Sequence, residues 1–390
     1  MASSYILGGC RTPIGKLLGG LAGVPAPELG AIAIRDALAR TGVDPAAIDE
    51  VIMGEVLTAG VGQAPARQAA IQAGLPHTIA ALTINKVCGS SLKAVMLADQ
   101  IIRAGDAERI VAGGMENMSQ APHLLRGGRT GWKFGSAELI DSMLHDGLFC
   151  SFEQEAMGCT ADYTAASREV SREDQDAWAA ESHRRALAAA EAFRNEIVPV
   201  AVSGRKVERI VDVDEGPRSD ASGESLARLR PSFGAQGTVT AGNASQISDG
   251  AAALVVASER AARESQSPLK ARIVASATSG VHPKEIFTAP VSAIEMVLAK
   301  AGMTLADIDL IELNEAFAAQ TLACLRPLDI DPAKTNIHGG AIALGHPIGA
   351  SGARVLVTLL HALAARDLQR GLASLCLGGG NAVAMIVERE

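Results

Sequence analysis

The sequence predicts an α/β protein of two similar halves with a segment inserted between them. Three observations carry this expectation. Residues 33–56 (AIRDALARTGVDPAAIDEVIMGEV) align without gaps on residues 293–316 (AIEMVLAKAGMTLADIDLIELNEA), and nine of the 24 positions are identical. The same offset of 260 continues, more faintly, from VCGSSLKAVM (87–96) to PIGASGARVL (347–356), and a later strand in each half then meets a glycine cluster, RIVAGGMEN (109–117) and SLCLGGGNA (374–382). The stretch between, from about Met118 to Gln246, is more charged and less periodic. Two copies at this spacing read as a duplicated domain, because they cannot stack as short solenoid repeats.

Taken in order, each copy reads as an amphipathic helix, a glycine stop, a short polar turn and an apolar strand. ALTINKV (81–87) reads as a strand and SLKAVMLADQIIRAG (91–105) as a helix. Inside the insert, Ser171 opens a long helix running to Phe193, with Asp174 three residues on in the manner of a capping box. Pro/Gly/Ser-rich stretches follow over 203–236. The insert is either a surface excursion or a lid carrying a binding site. These signals divide the chain into an N-terminal half (1–117 plus 247–268), a loop domain (118–246) and a C-terminal half (269–390).

Composition narrows the function classes. The net charge of −8 argues against a nucleic-acid surface, which needs a basic face. No apolar run is long enough for a membrane span, and the N-terminus lacks a signal-peptide pattern, so the cytoplasm is the expected compartment. Six cysteines at 10, 88, 150, 159, 324 and 376 form no CxxC pair, so free thiols and no metal site are expected.

Four positions could carry chemistry. Cys88 falls on a strand-to-helix turn followed by Gly89, Ser90 and Ser91. A helix N-terminus favours a thiolate, so its thiol is expected to titrate low; a buried cysteine at a tight turn is the competing reading. His346 lies in the glycine-rich run HGGAIALGHPIGASGAR (338–354), with His338 as a rival. That run has neither a Gly-Lys-Ser/Thr ending nor GxGxxG, so it is not a phosphate loop. Cys376 ends a strand that enters three glycines, whose bare N–H groups offer an oxyanion hole. Asn314 and Glu315 follow the strand IDLIEL; Asn314 is either a helix cap or a functional amide, and its counterpart in the first repeat is Gly54.

Together the stretches RTPIGK (11–16), NKVCGS (85–90), GGMENMSQAPH (113–123), GTVTAGNASQISDGAAA (237–253), NEAFA (314–318), GGAIALGHPIGASGAR (339–354) and CLGGG (376–380) resemble the thiolase family over the whole chain. The resemblance implies a five-layered αβαβα fold of two halves, with the loop domain as a lid for coenzyme A. It implies that Cys88 is the acylated nucleophile, that His346 activates it, and that Cys376 moves a proton at the acyl α-carbon. Asn314 would hold a water that forms one oxyanion hole with His346; the amides of Cys88 and Gly378 would form the other. The implied reaction condenses two acetyl-CoA into acetoacetyl-CoA and CoA, or reverses this by thiolysis. Arg218, Ser225 and Ser245 match positions that meet the nucleotide or pantetheine, and Leu148, Met157, Phe233, Ala316 and Phe317 match pocket walls. Coenzyme A enters as substrate, no prosthetic group or metal is implied, and a homodimer or homotetramer is expected.

The sequence departs from the family pattern at Ser91, Ala156, Ala382 and, in the acyl pocket, Ile286. Ala156 and Ile286 leave the preferred chain length open. A broader 3-ketoacyl-CoA thiolase is therefore the alternative. A non-catalytic acyl-CoA-binding protein is a third reading, opposed by the intact Cys88, His346 and Cys376.

Overall fold

The computed structural model describes residues 3–203 and 209–390; 204–208, within the Pro/Gly/Ser-rich stretch noted above, and Met1–Ala2 lie outside the described residues. The first half runs β1 (Ser4–Arg11), α1 (Ala26–Thr41), β2 (Glu50–Gly54), α2 (Pro65–Gln72), β3 (Ala80–Ile84), α3 (Ser90–Ala104) and β4 (Arg109–Asn117). The intervening segment carries α4 (Met157–Ser167) and α5 (Arg172–Ala188). Then come β5 (Ser248–Ser258), β6 (Ala271–Gly280), α6 (Ala289–Ala301), β7 (Leu310–Leu313), α7 (Ala318–Leu328), α8 (Ser351–Ala365), β8 (Arg370–Leu377) and β9 (Asn381–Arg389).

The repeat is visible in space. In the first half the strand order is β3-β2-β4-β5-β1; in the second it is β7-β8-β9-β6. In both, a parallel pair (β2 with β4, β7 with β8) passes into antiparallel neighbours. The counterpart of β3 is reduced to one parallel bridge between Ile311 and Thr335. The halves join where Tyr5 and Ile6 of β1 pair with Arg272 and Ala271 of β6.

Strand alternation builds the layers. Ala251, Ala253, Val255 and Ala257 of β5 pack with α1 and α2 in one core, while Ala252, Leu254 and Val256 pack with α3 and α8 in another. On β9, Val383, Met385 and Val387 join that central core, and Ala382, Ala384 and Ile386 face α6 and α7. The stack is thus helices, sheet, central helices α3 and α8, sheet, helices: five layers. With few aromatics, these cores are filled by Ala, Val, Leu and Ile.

Glycine stops end the repeated helices as the sequence suggests. Gly42 after α1 and Gly302 after α6 take left-handed φ values of 65° and 66°. The helix opened by Ser171 is shorter than its sequence pattern. Ser171 Oγ does accept from the Asp174 amide, but α5 ends at Ala188 and a separate turn covers Ala190–Phe193.

Candidate functional site

The two central helices bring the site together. Their N-termini touch: a Cβ on Gly352 would lie 2.4 Å from the Leu92 amide nitrogen, and Ser91 Oγ accepts from the Ala353 amide. Just ahead of α3 stands Cys88; just ahead of α8 runs the loop of His346.

The Cys88 turn is strained. Val87, β-branched, has φ of +47°, a region open mainly to glycine. Ser90 staples it, its Oγ donating to the Val87 carbonyl (2.6 Å) and accepting from the Lys86 amide (2.8 Å). Gly89 is tightly packed here: a Cβ would come within 2.1 Å of a Leu377 methyl, which would have to move. That contact brings the end of β8, and with it Cys376 and Gly378, against the turn.

The thiol does not titrate low as its helix start suggests. Enclosure pushes Cys88 up to about 11, and the Gly378 and Cys88 amides oppose this only in part. Burial in the free site outweighs the helix N-terminus, so a nearby base is needed to ionise the sulfur. Cys376 is pushed well up too, by burial and then by Cys88 and Cys324.

His346 is 6% exposed and lines the cavity. Its Nδ1 lies 2.6 Å from Ser351 Oγ, and Asn314 Nδ2 faces its Nε2 at 3.4 Å. Burial, and then Arg354, lower it to about 3, so the imidazole is neutral. The rival His338 packs edge-on against Phe193, away from the site.

Asn314 is not a helix cap: α7 begins only at Ala318, with Phe317 at its cap. Its neighbour Glu315 is a clamp. It accepts from Trp178 Nε1 (3.0 Å), Ser182 Oγ (2.7 Å), Asn336 Nδ2 (2.9 Å) and the Ile342 amide (3.3 Å), tying α5 to the second half. Glu116, at the end of β4, accepts from the amides of Val56, Leu57 and Gly349 and holds the His346 loop to the first half.

A cavity of about 600 Å³ opens here, lined by Leu148, Met157, Phe233, Ser245, Phe317 and His346 among others. Ala316 lies deeper, clustered with Phe317, Ile286, Phe287 and Cys376. Arg218 and Ser225 lie outside the lining. Arg218 forms an exposed pair with Asp220, and Ser225 Oγ donates to the Asp220 carbonyl in the cap of a short helix, Gly223–Ala227. Sequence reasoning missed Ser351, Glu116 and Arg354. Ser351 had a signal, a hydroxyl opening a helix five residues after the histidine. Among the described residues, no group of three or more His, Cys, Asp or Glu could hold a metal ion, and no helix is long and apolar enough to cross a membrane.

Comparison with known proteins gives this geometry a lineage. Residues 4–260 match the thiolase N-terminal domain and 267–389 the thiolase C-terminal domain. An acetyl-CoA acetyltransferase of Pseudomonas aeruginosa is 54% identical, and one of Cupriavidus necator 52%, each alignment covering 100% of both chains. The crystal structure of the Bacillus anthracis acetyl-CoA acetyltransferase superposes with a TM-score of 0.97 at 41% identity, covering 100% of this chain and 99% of that one. The chain belongs to the thiolase family.

Proposed function

We propose that the chain condenses two acetyl-CoA into acetoacetyl-CoA and free CoA, and runs the reverse thiolysis, through an acyl group on Cys88. The observation that carries this is the grouping of Cys88 with Cys376 and the Gly378 amide, with neutral His346 in the wall of a largely apolar cavity. The relatives named acetyl-CoA acetyltransferase support the same reading.

The proton bookkeeping closes over two half-reactions. In the first, His346 Nε2 takes the Cys88 proton, the sulfur attacks the acetyl carbonyl, and the departing CoA sulfur takes the Cys376 proton. The Cys88 and Gly378 amides face the oxyanion, each such donor lowering the barrier by roughly 3 kcal/mol. In the second, the Cys376 thiolate removes an α-proton from the next acetyl-CoA. The carbanion attacks the acyl-cysteine, and Cys88 leaves with the His346 proton. Burial that raises the Cys376 thiol also makes its thiolate the stronger base, as abstraction from carbon demands. Asn314, through a water, and the protonated His346 face the enolate oxygen.

The cluster beside Cys376 supports a short acyl pocket. Ile286, Phe287 and Phe317 cluster with Cys376, and the Phe287 and Phe317 rings meet edge-on at 5.2 Å. We assign residues 118–246 as the lid over coenzyme A, with Ser245, Leu148, Met157 and Phe233 meeting its arm and Arg218 and Ser225 its outer end. Exposed Leu82 on edge strand β3, with exposed Trp132 and Phe134, suits a homodimer or homotetramer, and six free thiols suit the cytoplasm. A thiolysis panel tests the reading: kcat/KM is expected to be highest for acetoacetyl-CoA. A clear preference for a C8 3-ketoacyl-CoA would favour the broader-specificity enzyme instead.

A further inference from the structure

Arg354 is a buried cation with too few partners. It lies in the first turn of α8, 2% exposed, and its Nη1 is 3.6 Å from Glu312 Oε2, itself 3% exposed. Its Nη2 reaches Asn314 Oδ1 at 3.5 Å. Among the described residues, Nε and Nη1 of Arg354 and Oε2 of Glu312 have no hydrogen-bond partner. A buried, incompletely paired Arg–Glu contact contributes little to stability, because desolvation offsets the attraction; burial raises the Glu312 carboxyl to about 8 despite Arg354. The placement of Arg354 is therefore better explained by what it points at.

What it points at is an amide whose orientation matters. Glu312 and Asn314 are two residues apart at the end of β7, so alternation puts both on the face that meets α8. A guanidinium has donors only. Facing Arg354, Asn314 must present Oδ1, and its Nδ2 then turns towards His346, where it stands at 3.4 Å. The reversed amide would set N–H against N–H at Arg354 and an acceptor oxygen against the developing enolate charge.

We propose that Arg354 is a positioning residue for the reaction: anchored on Glu312, it fixes the Asn314 amide so that its N–H side faces His346 and the oxyanion site. The inference rests on the reading of Asn314 as part of that site.

A double-mutant cycle tests it in the full chain, with Asn314→Ala and Arg354→Lys read by thiolysis of acetoacetyl-CoA. Lysine keeps the charge near His346 but loses the planar fork that can hold Glu312 and Asn314 together. In the parent, Arg354→Lys is expected to lower kcat about tenfold with KM changed less than about twofold, the pattern of an interaction made in the transition state. In the Asn314→Ala background the same change is expected to cost less than about twofold. An equal loss in both backgrounds, or none in the parent, overturns the proposal. If Asn314→Ala alone leaves kcat intact, the reading of Asn314 fails instead, and the two failures are told apart. Should circular dichroism find Arg354→Lys unfolded, the charge-neutral pair Glu312→Gln with Arg354→Gln runs the same cycle with the same criteria.

Discussion

Ser351 Oγ stands 2.6 Å from His346 Nδ1 and donates its own proton to the Pro347 carbonyl at 2.8 Å. With the hydroxyl hydrogen committed to Pro347, the serine can only accept from the histidine. Nδ1 therefore carries the imidazole proton and Nε2 is left bare towards Asn314 and the cavity, the tautomer a base needs. Ser351→Ala is expected to lower kcat roughly 10–100-fold with KM nearly unchanged. Nitrogen-15 NMR of labelled histidine should find a mixed tautomer in the variant and Nδ1–H alone in the parent. An unchanged kcat would remove Ser351 from the machinery.

Cys88 sets the pH behaviour of the free enzyme. Its thiol is pushed up to about 11 by enclosure. The thiolate fraction then grows tenfold per pH unit through the neutral range. Alkylation by iodoacetamide should accordingly accelerate from pH 7 to pH 10 without a plateau near the ordinary thiol value of about 8.5. Cys88→Ser should lose this alkali-accelerated labelling site and all measurable thiolysis while still binding CoA by calorimetry. Residual turnover near the parent rate rules out the acyl-cysteine route.

Cys376→Ala separates the half-reactions. The first half can draw its last proton from water, so a burst of CoA release and a stable acetyl group on Cys88 are expected. Condensation should fall by at least about 1,000-fold, because Cys376 is the group the proposed scheme uses as the carbon base. Mass spectrometry of the intact chain would find the added acetyl group. A variant that still condensed near the parent rate would assign the base elsewhere.

The two copies of the repeat treat one position unequally. Glu315 has four donors, whereas its counterpart Glu55 is fully buried with neither oxygen paired among the described residues. Burial, and then Glu116, raise Glu55 to about 9. A raised carboxyl keeps its proton in the fold but sheds it in the unfolded chain. Stability is therefore greatest below the ordinary value near 4.5 and falls as pH rises towards 9. Glu55→Gln should raise stability by about 2 kcal/mol at pH 8 and hardly at all at pH 4.5, read as thermal midpoints. Equal shifts at both pH values would refute the assignment.

Much of this was legible in the sequence, because the duplication repeats its signals. The helix, glycine stop and strand of 33–56 and 293–316 return as α1 and β2, α6 and β7, and Gly89 after Cys88 and the glycines beyond Cys376 mark the close approach of α3 and β8. Three things were not legible. The end of α5 at Ala188 leaves no break in the residue pattern. The direction of the Cys88 shift depends on how completely the second half covers the turn, which a local motif does not encode. Arg354 and Glu312 are 42 residues apart and read separately as ordinary charged positions; only the packing of α8 on β7 makes them neighbours.

Gly352 carries one more consequence. It is the point where the two central helices meet, with no room for even one added carbon between it and Leu92. The sulfur stands just ahead of one helix and the imidazole in the loop before the other, so the gap between them is gauged by an atom that is missing. Gly352→Ala would act as a shim. It would leave every reacting group intact and wedge the nucleophile from its base, so the helix crossing serves as a caliper for chemistry that no residue at the crossing performs.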